Sequence, residues 1–423
     1  LLKGHGLQSP ISAIDPSKPY VAKIDTPLLE LSKKFDDKIR IIPVVDDSNR
    51  IIDVHFKDKR THIPITNPFF DENEIELLNE CILSGWVSSG GPFVEKFENI
   101  VAEYTGTKYA VSCSSGTSGL HLALLANDIG PGDEVIVPTL TFIATANAVS
   151  YTGAKPVFID SDINTWNIDP KLINKSITKK TKAIMPVHLY GLPADMDAIN
   201  KIAKEFNLLV IEDASEAQGA RYKKRMVGTL ADMAVFSFFG NKMITTGEGG
   251  MIVTNDQKLA EKCKILRDHG MSKERRYWHN VIGYNYRMTN MQAAIGVAQM
   301  GKIEKIIKRK KEIAYQYKKL LTTSKGIIFP AEDEFTENVF WLFTILIDEE
   351  ILGINAIELM KKLQDHKIDT RFIFPPIHTQ PIYNKAKKLP ISEKIHSMGL
   401  TLPSSYDLKL EEIKNICSLI LNH

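Results

Sequence analysis

Hydrophobic and polar positions alternate along most of the chain in a pattern that predicts strands separated by helices. Short runs rich in Val and Ile, such as KPVFID, KAIMPV and LLVIEDAS, have the length of buried strands. Between the last two, DMDAINKIAKEFN (195–207) has apolar residues at helical spacing. Strands that alternate with helices are typical of a parallel sheet covered by helices on both faces. From about Ile63 onwards the sequence therefore predicts an α/β fold with a largely parallel central sheet.

The two ends of the chain have patterns of their own. From about Lys302 the sequence predicts a long amphipathic helix whose many lysines form a solvated face. After it, VFWLFTILI and IDTRFIF indicate a smaller C-terminal α/β domain. Near the N-terminus, IRIIPVVDDSNRIIDVHF (39–56) predicts a hairpin, and TPLLELSKKF (26–35) predicts a helix before it. The chain is accordingly divided into three predicted parts: 1–62, 63–310 and 311–423.

Composition and charge narrow the class of protein. The 423 residues are 43% hydrophobic and 25% charged, as in ordinary globular proteins, and the formal net charge of +2 gives no field that favours nucleic acid. No apolar run approaches the roughly 18 residues of a membrane-spanning helix, and the first residues lack the pattern of a signal peptide. Because the sequence does not begin with Met, we expect it to start inside a longer polypeptide.

The four cysteines are widely spaced and form no CxxC pair. This spacing argues against a zinc site or a disulfide framework and favours four unrelated free thiols. We therefore expect a cytoplasmic protein without a metal, a membrane or a nucleic-acid partner.

Three segments place small or polar residues where a strand ends, which is where open parallel sheets bind ligands. The first is SSGTSG (114–119), whose small residues at a helix N-terminus leave backbone N–H groups open to a phosphate. By itself this signal is weak, because Gly-Thr-Ser is also an ordinary helix start.

The second segment is VIEDASEAQGA (210–220), in which Asp213 ends an apolar strand. A carboxylate at that position must have a partner or face a site. A cap for the next helix explains Asp213 equally well, so the segment does not decide between structure and function.

The third segment is SFFGNKMITTGEGG (237–250), which brings one lysine, Lys242, out of an apolar run. Lost hydration lowers the pKa of such an amine and makes it a nucleophile towards a carbonyl. The glycines that follow let the backbone pack against a flat ligand. A lone lysine is more often a surface residue whose stem covers apolar neighbours.

The order of the three segments is more specific than any one of them. A phosphate cradle, an acid after a strand and a lysine about 29 residues later are what pyridoxal phosphate (PLP) requires. That cofactor needs an anion site, a carboxylate beside its pyridinium nitrogen and a Schiff-base lysine. The sequence therefore predicts a PLP enzyme.

From about Ile63 to its end, the chain resembles the DegT/DnrJ/EryC1/StrS family of PLP-dependent sugar aminotransferases. The segments that carry the resemblance are GWVSSGGPFVEKFE, SSGTSGLHLALLA, PTLTFIATANAV, IEDASEAQGA, SFFGNKMITTGEGGMIVTND and YWHNVIGYNYRMTNMQAAIG. The resemblance implies PLP fold type I, the aspartate-aminotransferase-like fold. Residues 1–62 fall outside it and resemble half of a cystathionine-β-synthase-type (CBS) module, an α+β unit that usually pairs and often binds adenine nucleotides.

The resemblance to the aminotransferase family implies two catalytic residues. Lys242 would be the Schiff-base lysine, and Asp213 would pair with the pyridinium nitrogen. Gly116, Thr117 and Ser237 would hold the cofactor phosphate.

The same resemblance implies roles for residues around the cofactor ring and substrate. Phe142 would stack on the pyridine, and Glu216 would face the ring. Asn285 would reach the phosphate from the neighbouring subunit of a homodimer with shared active sites. His279 and Arg287, in the YWHNVIGYNYR block, are expected to contact substrate.

The implied reaction is transamination of the C4 ketone of a nucleotide-linked 6-deoxy sugar, with glutamate as amino donor, for surface polysaccharide. GDP-4-keto-6-deoxymannose is the expected substrate, and a UDP-linked 4-keto sugar is the alternative. A nucleotide-sensing regulatory protein that works through residues 1–62 is a further alternative. His188 and His378 could contact substrate or could equally be packed histidines.

Overall fold

The computed structural model describes residues 20–23, 26, 30, 34, 41–56, 62–383 and 388–422. Contacts divide the chain into two compact units, 1–63 and 64–423. Most of the helix predicted over 26–35 lies outside the described residues. Within the described ranges, no helix is long and apolar enough to cross a membrane.

The first unit contains the predicted hairpin. Strands β1 (Ala22–Lys23), β2 (Ile41–Val45) and β3 (Ile51–Phe56) form a sheet in that order, with β1 parallel and β3 antiparallel to β2. The turn between β2 and β3 is closed by the Asp46 carboxylate, which accepts hydrogen bonds from the backbone N–H groups two and four residues later, both at 2.9 Å. The resemblance of this unit to half a CBS module stays a prediction.

The second unit contains fourteen further strands among its described residues. They are β4 (Tyr109–Cys113), β5 (Glu134–Pro138), β6 (Lys155–Ile159), β7 (Thr181–Ile184), β8 (Leu209–Asp213), β9 (Arg221–Tyr222), β10 (Arg225–Met226), β11 (Met233–Ser237), β12 (Gly250–Thr254), β13 (Ile327–Ile328), β14 (Thr336–Glu337), β15 (Phe343–Ile347), β16 (Arg371–Phe372) and β17 (Gly399–Leu402).

The α-helices described in this unit number thirteen. They are α1 (Glu72–Ser84), α2 (Pro92–Thr105), α3 (Gly116–Ala126), α4 (Ala144–Tyr151), α5 (Pro170–Ile173), α6 (Met196–Phe206), α7 (Gln257–Arg267), α8 (Asn290–Met300), α9 (Ile303–Leu321), α10 (Glu349–Leu352), α11 (Ala356–Asp365), α12 (Pro390–Met398) and α13 (Leu410–Leu421).

The main sheet has seven strands in the order β4-β12-β11-β8-β7-β5-β6. Strand β12 is antiparallel to both neighbours, and the other pairs are parallel. Val210 and Val253 pack with α1, α2, α6, α8 and α9, whereas Ile211 and Ile252 pack with α3, α4 and α7. Both faces of the sheet are therefore buried under helices, and the predicted mostly parallel α/β architecture is confirmed.

A smaller sheet, β13-β15-β17-β16, forms near the C-terminus. Helix α9 leads towards it, and the predicted boundary at 310/311 falls inside this helix, so the division into three parts stays a prediction. The lysine-rich face of α9 is not wholly solvated as expected. Lys310 belongs to the buried stripe that includes Ile306, Ile313 and Tyr317, and only 4% of it is exposed.

Candidate active site

Helix α3 begins at a cradle to which Ser115, Ser215 and Ser237 contribute. Its N-cap is Ser115, whose hydroxyl accepts a hydrogen bond from Ser118 N at 3.1 Å. A Cβ at Gly116 would lie 2.8 Å from Cβ of Ser237 and 3.3 Å from Oγ of Ser215. The first turn of the helix therefore faces two serine hydroxyls at a distance that only glycine permits. The positive end of the helix dipole and the hydroxyl donors together favour the binding of a phosphate.

Asp213 ends β8 beside this cradle and is 4% exposed. One carboxylate oxygen accepts a hydrogen bond from Thr145 Oγ1 at 2.7 Å, and the other accepts from Ser215 N at 3.2 Å. Among the described residues, no Lys, Arg or His forms an ion pair with this carboxylate. A buried carboxylate that is oriented but not neutralised is suited to a cationic N–H group of a ligand.

Lys242 lies in the turn that follows β11, where its backbone N donates to Phe239 O at 2.9 Å. Its Nζ lies 3.8 Å from the centroid of the Trp341 ring. Burial lowers the pKa of Lys242, and the negative charges of Glu216 and Asp213 oppose that shift. Burial therefore favours the neutral form of this amine, and the two carboxylates favour its charged form.

Glu216 lies one turn beyond Asp213 and is 4% exposed. Its carboxylate accepts a hydrogen bond from Tyr190 N at 2.7 Å. Burial raises the pKa of Glu216 to about 7, a rise that Lys242 and the Tyr190 N–H limit and Asp213 adds to. Lys242 and Glu216 thus each affect the pKa of the other, and the charge of Asp213 affects both.

Aromatic rings form a row along this site. Phe142 is 54% exposed, and its ring centroid lies 5.8 Å from that of Phe374. Phe374 stacks on Tyr190 at 5.4 Å, and Tyr190 stacks on Trp341 at 6.1 Å. Sequence reasoning identified Phe142 and missed the other three rings. The tyrosine directly after the strand-like KAIMPVHL was the signal that could have found Tyr190.

The segment that carries Asn285, His279 and Arg287 lies on the surface. Asn285 and His279 are exposed, and the Arg287 guanidinium forms an ion pair with Asp268 at 3.0 Å. His279 Nδ1 lies 2.9 Å from His269 O. In the part of the chain that the structure describes, no hydrogen bond or ion pair joins these three residues to Lys242 or Asp213. Their predicted roles at the site stay predictions.

The structure shows packing partners for His188 and His378, the two histidines whose role the sequence left open. His188 is fully buried; its Nδ1 accepts from Ala194 N at 3.0 Å, so its Nε2–H donates to Glu212 at 3.0 Å. His378 is buried between Thr139 Oγ1 at 2.7 Å and Glu393 at 3.0 Å. Both rings connect parts of the framework.

Comparison with known proteins identifies the family. The sequence profile of the DegT/DnrJ/EryC1/StrS aminotransferase family matches residues 68–421. The chain belongs to this family. The aminotransferase is 49% identical over 360 residues to the GDP-perosamine synthase of Escherichia coli O157:H7, with 85% of this chain and 98% of the relative covered.

Two further comparisons agree. The GDP-perosamine synthase of Caulobacter vibrioides is 45% identical over 361 residues, which cover 85% of this chain and 97% of that one. The crystal structure of S. venezuelae DesV, in complex with a ketimine intermediate, superposes on the aminotransferase with a TM-score of 0.79 at 35% identity. It covers 85% of this chain and 97% of that chain.

The aminotransferase uses PLP as its cofactor, as the sequence predicted. The residues of this structure fit that group. A Cβ at Gly116 would clash with Ser237, so only glycine fits at this position of the cradle. Asp213 is a buried carboxylate, and no cation among the described residues forms an ion pair with it. The amine of Lys242, whose pKa burial lowers, supplies the third requirement, a lysine near these groups.

Proposed function

We propose that this aminotransferase transfers the amino group of glutamate to the C4 ketone of GDP-4-keto-6-deoxymannose, which gives GDP-perosamine for a surface polysaccharide. Two relatives at 49% and 45% identity are named GDP-perosamine synthase, and this chain covers 98% and 97% of their lengths. These names favour the GDP-linked substrate over the UDP-linked alternative. They also favour an enzyme over a nucleotide sensor.

The observation that carries the proposal is the group of Lys242, Asp213 and Glu216 next to the cradle at Gly116, in which both carboxylates are buried. PLP, when bound, supplies a ring that withdraws electrons from a carbon attached to the reacting nitrogen. We assign the phosphate to Gly116, Thr117 and Ser237, where helix dipole and hydroxyl donors favour an anion.

Asp213 would accept a hydrogen bond from the ring nitrogen and keep it protonated, because an adjacent carboxylate raises the pKa of such a group. Thr145 and Ser215 hold the carboxylate in place from the opposite side. Phe142 would cover one ring face with its exposed side. Glu216, with its pKa raised to about 7, would lie beside the ring as an acid that exchanges protons near neutrality.

Lys242 would move the proton in both half-reactions. Its Nζ would remove a proton from Cα of glutamate, and later deliver one to C4 of the sugar, as a general base and acid. Burial favours the neutral amine before the first transfer, and the two carboxylates stabilise the ammonium that the transfer creates.

We further propose a homodimer in which Asn285, His279 and Arg287 complete the partner's site. The support is their position on a surface segment whose large apolar side chains are exposed, including Trp278 at 51% and Ile282 at 89%. Mixed protomers of Lys242→Ala and Asn285→Ala should recover up to about a quarter of the wild-type activity, because half the random dimers contain one intact site. Verified heterodimers without activity would contradict sharing.

For residues 1–62, the resemblance to a CBS module suggests adenine-nucleotide binding, which we propose only for a paired module. The chemistry of the aminotransferase does not depend on this proposal.

A panel of GDP- and UDP-linked 4-keto sugars tests the substrate assignment. With glutamate as donor, kcat/KM for GDP-4-keto-6-deoxymannose should exceed that for the UDP series by about 10²-fold or more, because a base edge that leaves hydrogen-bonding groups unpaired is strongly rejected. Lys242→Ala serves as the inactive control. A preference for a UDP-linked sugar would overturn the substrate and leave the aminotransferase chemistry standing.

A further inference from the structure

The indole of Trp341 is the surface on which the amine of Lys242 rests. Nζ lies 3.8 Å from the ring centroid, and Trp341 is 3% exposed. Within the described ranges, no carboxylate forms an ion pair with Lys242, so the ring face is its direct cation-binding contact. An ammonium over a desolvated indole is attracted by the ring quadrupole.

Trp341 is held from several directions. Its Nε1–H donates to Asn241 O at 2.7 Å, which ties the ring to the residue before Lys242. Its carbonyl oxygen accepts a hydrogen bond from Lys310 Nζ at 2.9 Å. A Cβ at Gly191 would lie 3.0 Å from Trp341 N, so the chain also approaches closely on that side. The indole thus has little freedom to move away from the amine.

Lys310 is only 4% exposed, and it takes no part in the proposed chemistry. Besides Trp341 O, its Nζ donates to Ser404 Oγ at 3.3 Å. Among the described residues, no carboxylate pairs with it. Burial of an amine without a counter-charge costs free energy. The hydrogen bond to the Trp341 carbonyl oxygen offsets part of that cost.

We propose that Trp341 is a positioning residue that holds the free amine of Lys242 for proton transfer, and that Lys310 fixes Trp341 by binding its carbonyl oxygen. The proposal rests on the proposed function only in giving Lys242 the proton-transfer role. Three groups face the amine: the carboxylate of Asp213 at the end of β8, the carboxylate of Glu216 after that strand, and the ring of Trp341.

This arrangement gives the amine a defined position whenever Lys242 is not bonded to cofactor. The indole face favours the ammonium, and burial favours the neutral amine. Loss of the ring should therefore lower the pKa of the amine and reduce the fraction that stays charged after it accepts a proton. It should slow turnover without weakening glutamate binding.

The test measures the pKa of Lys242 in the full chain without cofactor, by competitive acylation at a series of pH values and peptide mapping. In Trp341→Leu we expect this pKa to fall by about one unit. Trp341→Phe, which keeps a ring, should lie between Leu and wild type. In the loaded enzyme, Trp341→Leu should lower kcat by about 10-fold with the glutamate KM unchanged.

The anchor is tested with Lys310→Met, whose matched control is Lys308→Met on the exposed face of the same helix. Lys310→Met should shift the pKa of Lys242 in the same direction as Trp341→Leu, by a smaller amount, and should change the emission of Trp341 in a difference spectrum against Trp341→Phe. The control should do neither.

An unchanged or raised pKa of Lys242 in Trp341→Leu overturns the positioning role. Wild-type values of both readouts in Lys310→Met overturn the anchor. Because acylation needs no sugar nucleotide, the expected pKa shifts together with an enzyme that aminates no keto sugar would support the positioning role and contradict only the proposed function.

Discussion

Among the described lysines, two have a pKa that burial lowers, Lys242 and Lys310, and their surroundings differ in one respect. For Lys310 the pKa falls to about 7. Around Lys242 the charges of Glu216 and Asp213 oppose the effect of burial, whereas around Lys310 the described partners are a neutral carbonyl and a hydroxyl. Burial therefore favours the neutral form of both amines, and only Lys242 has carboxylates beside it that favour its charged form.

The largest expected difference between the two lysines is in activity. Lys242→Ala should reduce transamination by about 10³-fold or more, because it removes both the covalent link and the general base. It should still bind PLP non-covalently through the cradle at Gly116. Activity assays, absorption spectra of the bound cofactor and borohydride reduction with peptide mapping measure these effects. A pyridoxyl label on Lys310 or any other lysine in the wild type would contradict the assignment.

The next largest effect concerns the carboxylates that distinguish the Lys242 site. Asp213→Asn should keep the fold and lose activity by about 10²-fold or more, because a neutral amide no longer stabilises the cationic ring nitrogen. The matched control is Glu212→Gln on the same strand. Glu212 accepts hydrogen bonds from Gly228 N at 3.0 Å and Leu230 N at 2.9 Å and binds His188.

Glu212→Gln should instead lower the free energy of unfolding by about 2 kcal/mol, because charge-assisted hydrogen bonds in the interior are lost. Urea unfolding and steady-state kinetics on both variants separate the two effects. Normal turnover by Asp213→Asn would place the role of ring partner elsewhere.

Much of the fold was predictable because strands and helices each have a characteristic spacing of apolar residues along the sequence. The buried runs that end at Asp213 and Ser237 are strands β8 and β11, and the segment 195–207 contains helix α6. The antiparallel direction of β12 was not predictable from its sequence GGMIVTN, since strand direction depends on the connection between strands.

For the site, the sequence predicted Lys242 and Asp213 from their place after buried strands. It did not predict Trp341, because a tryptophan in VFWLFTILI has the pattern of ordinary core. The segment IKRKKEI predicts a solvated face for Lys310, because Lys310 lies among other charged residues there. The roles proposed for these two residues depend on contacts with distant parts of the chain, which the spacing of residues in the sequence does not show.

Lys310 should affect stability in a way that depends on pH. Its pKa in the folded chain is about 7, below its ordinary value of 10.5, so the unfolded chain binds more protons between these values. Stability contributed through this group therefore rises as pH increases from about 7 to about 10. Lys310→Met removes the cost of the buried amine and should be about 1–3 kcal/mol more stable than wild type near pH 7.

This gain should disappear above about pH 11, where Lys310 is mostly neutral in both the folded and the unfolded chain. Urea unfolding at pH 7, 8 and 9, with Lys308→Met as control, measures the slope. A difference that does not change with pH would mean that Lys310 is charged in the folded protein.

The smallest effect is expected from the first unit, because Lys242, Lys310 and all the residues assigned to the site lie in the second unit, 64–423. The family match, residues 68–421, also begins after the first unit. A chain that starts near Arg60 should bind PLP and transaminate within about two-fold of the full chain, since separate compact units usually fold independently. Gel filtration, the spectrum of bound PLP and kcat/KM measure this. A truncated chain that is folded and PLP-bound but inactive would make residues 1–62 part of the site, and the two lysines would then depend on a region that carries no cofactor motif.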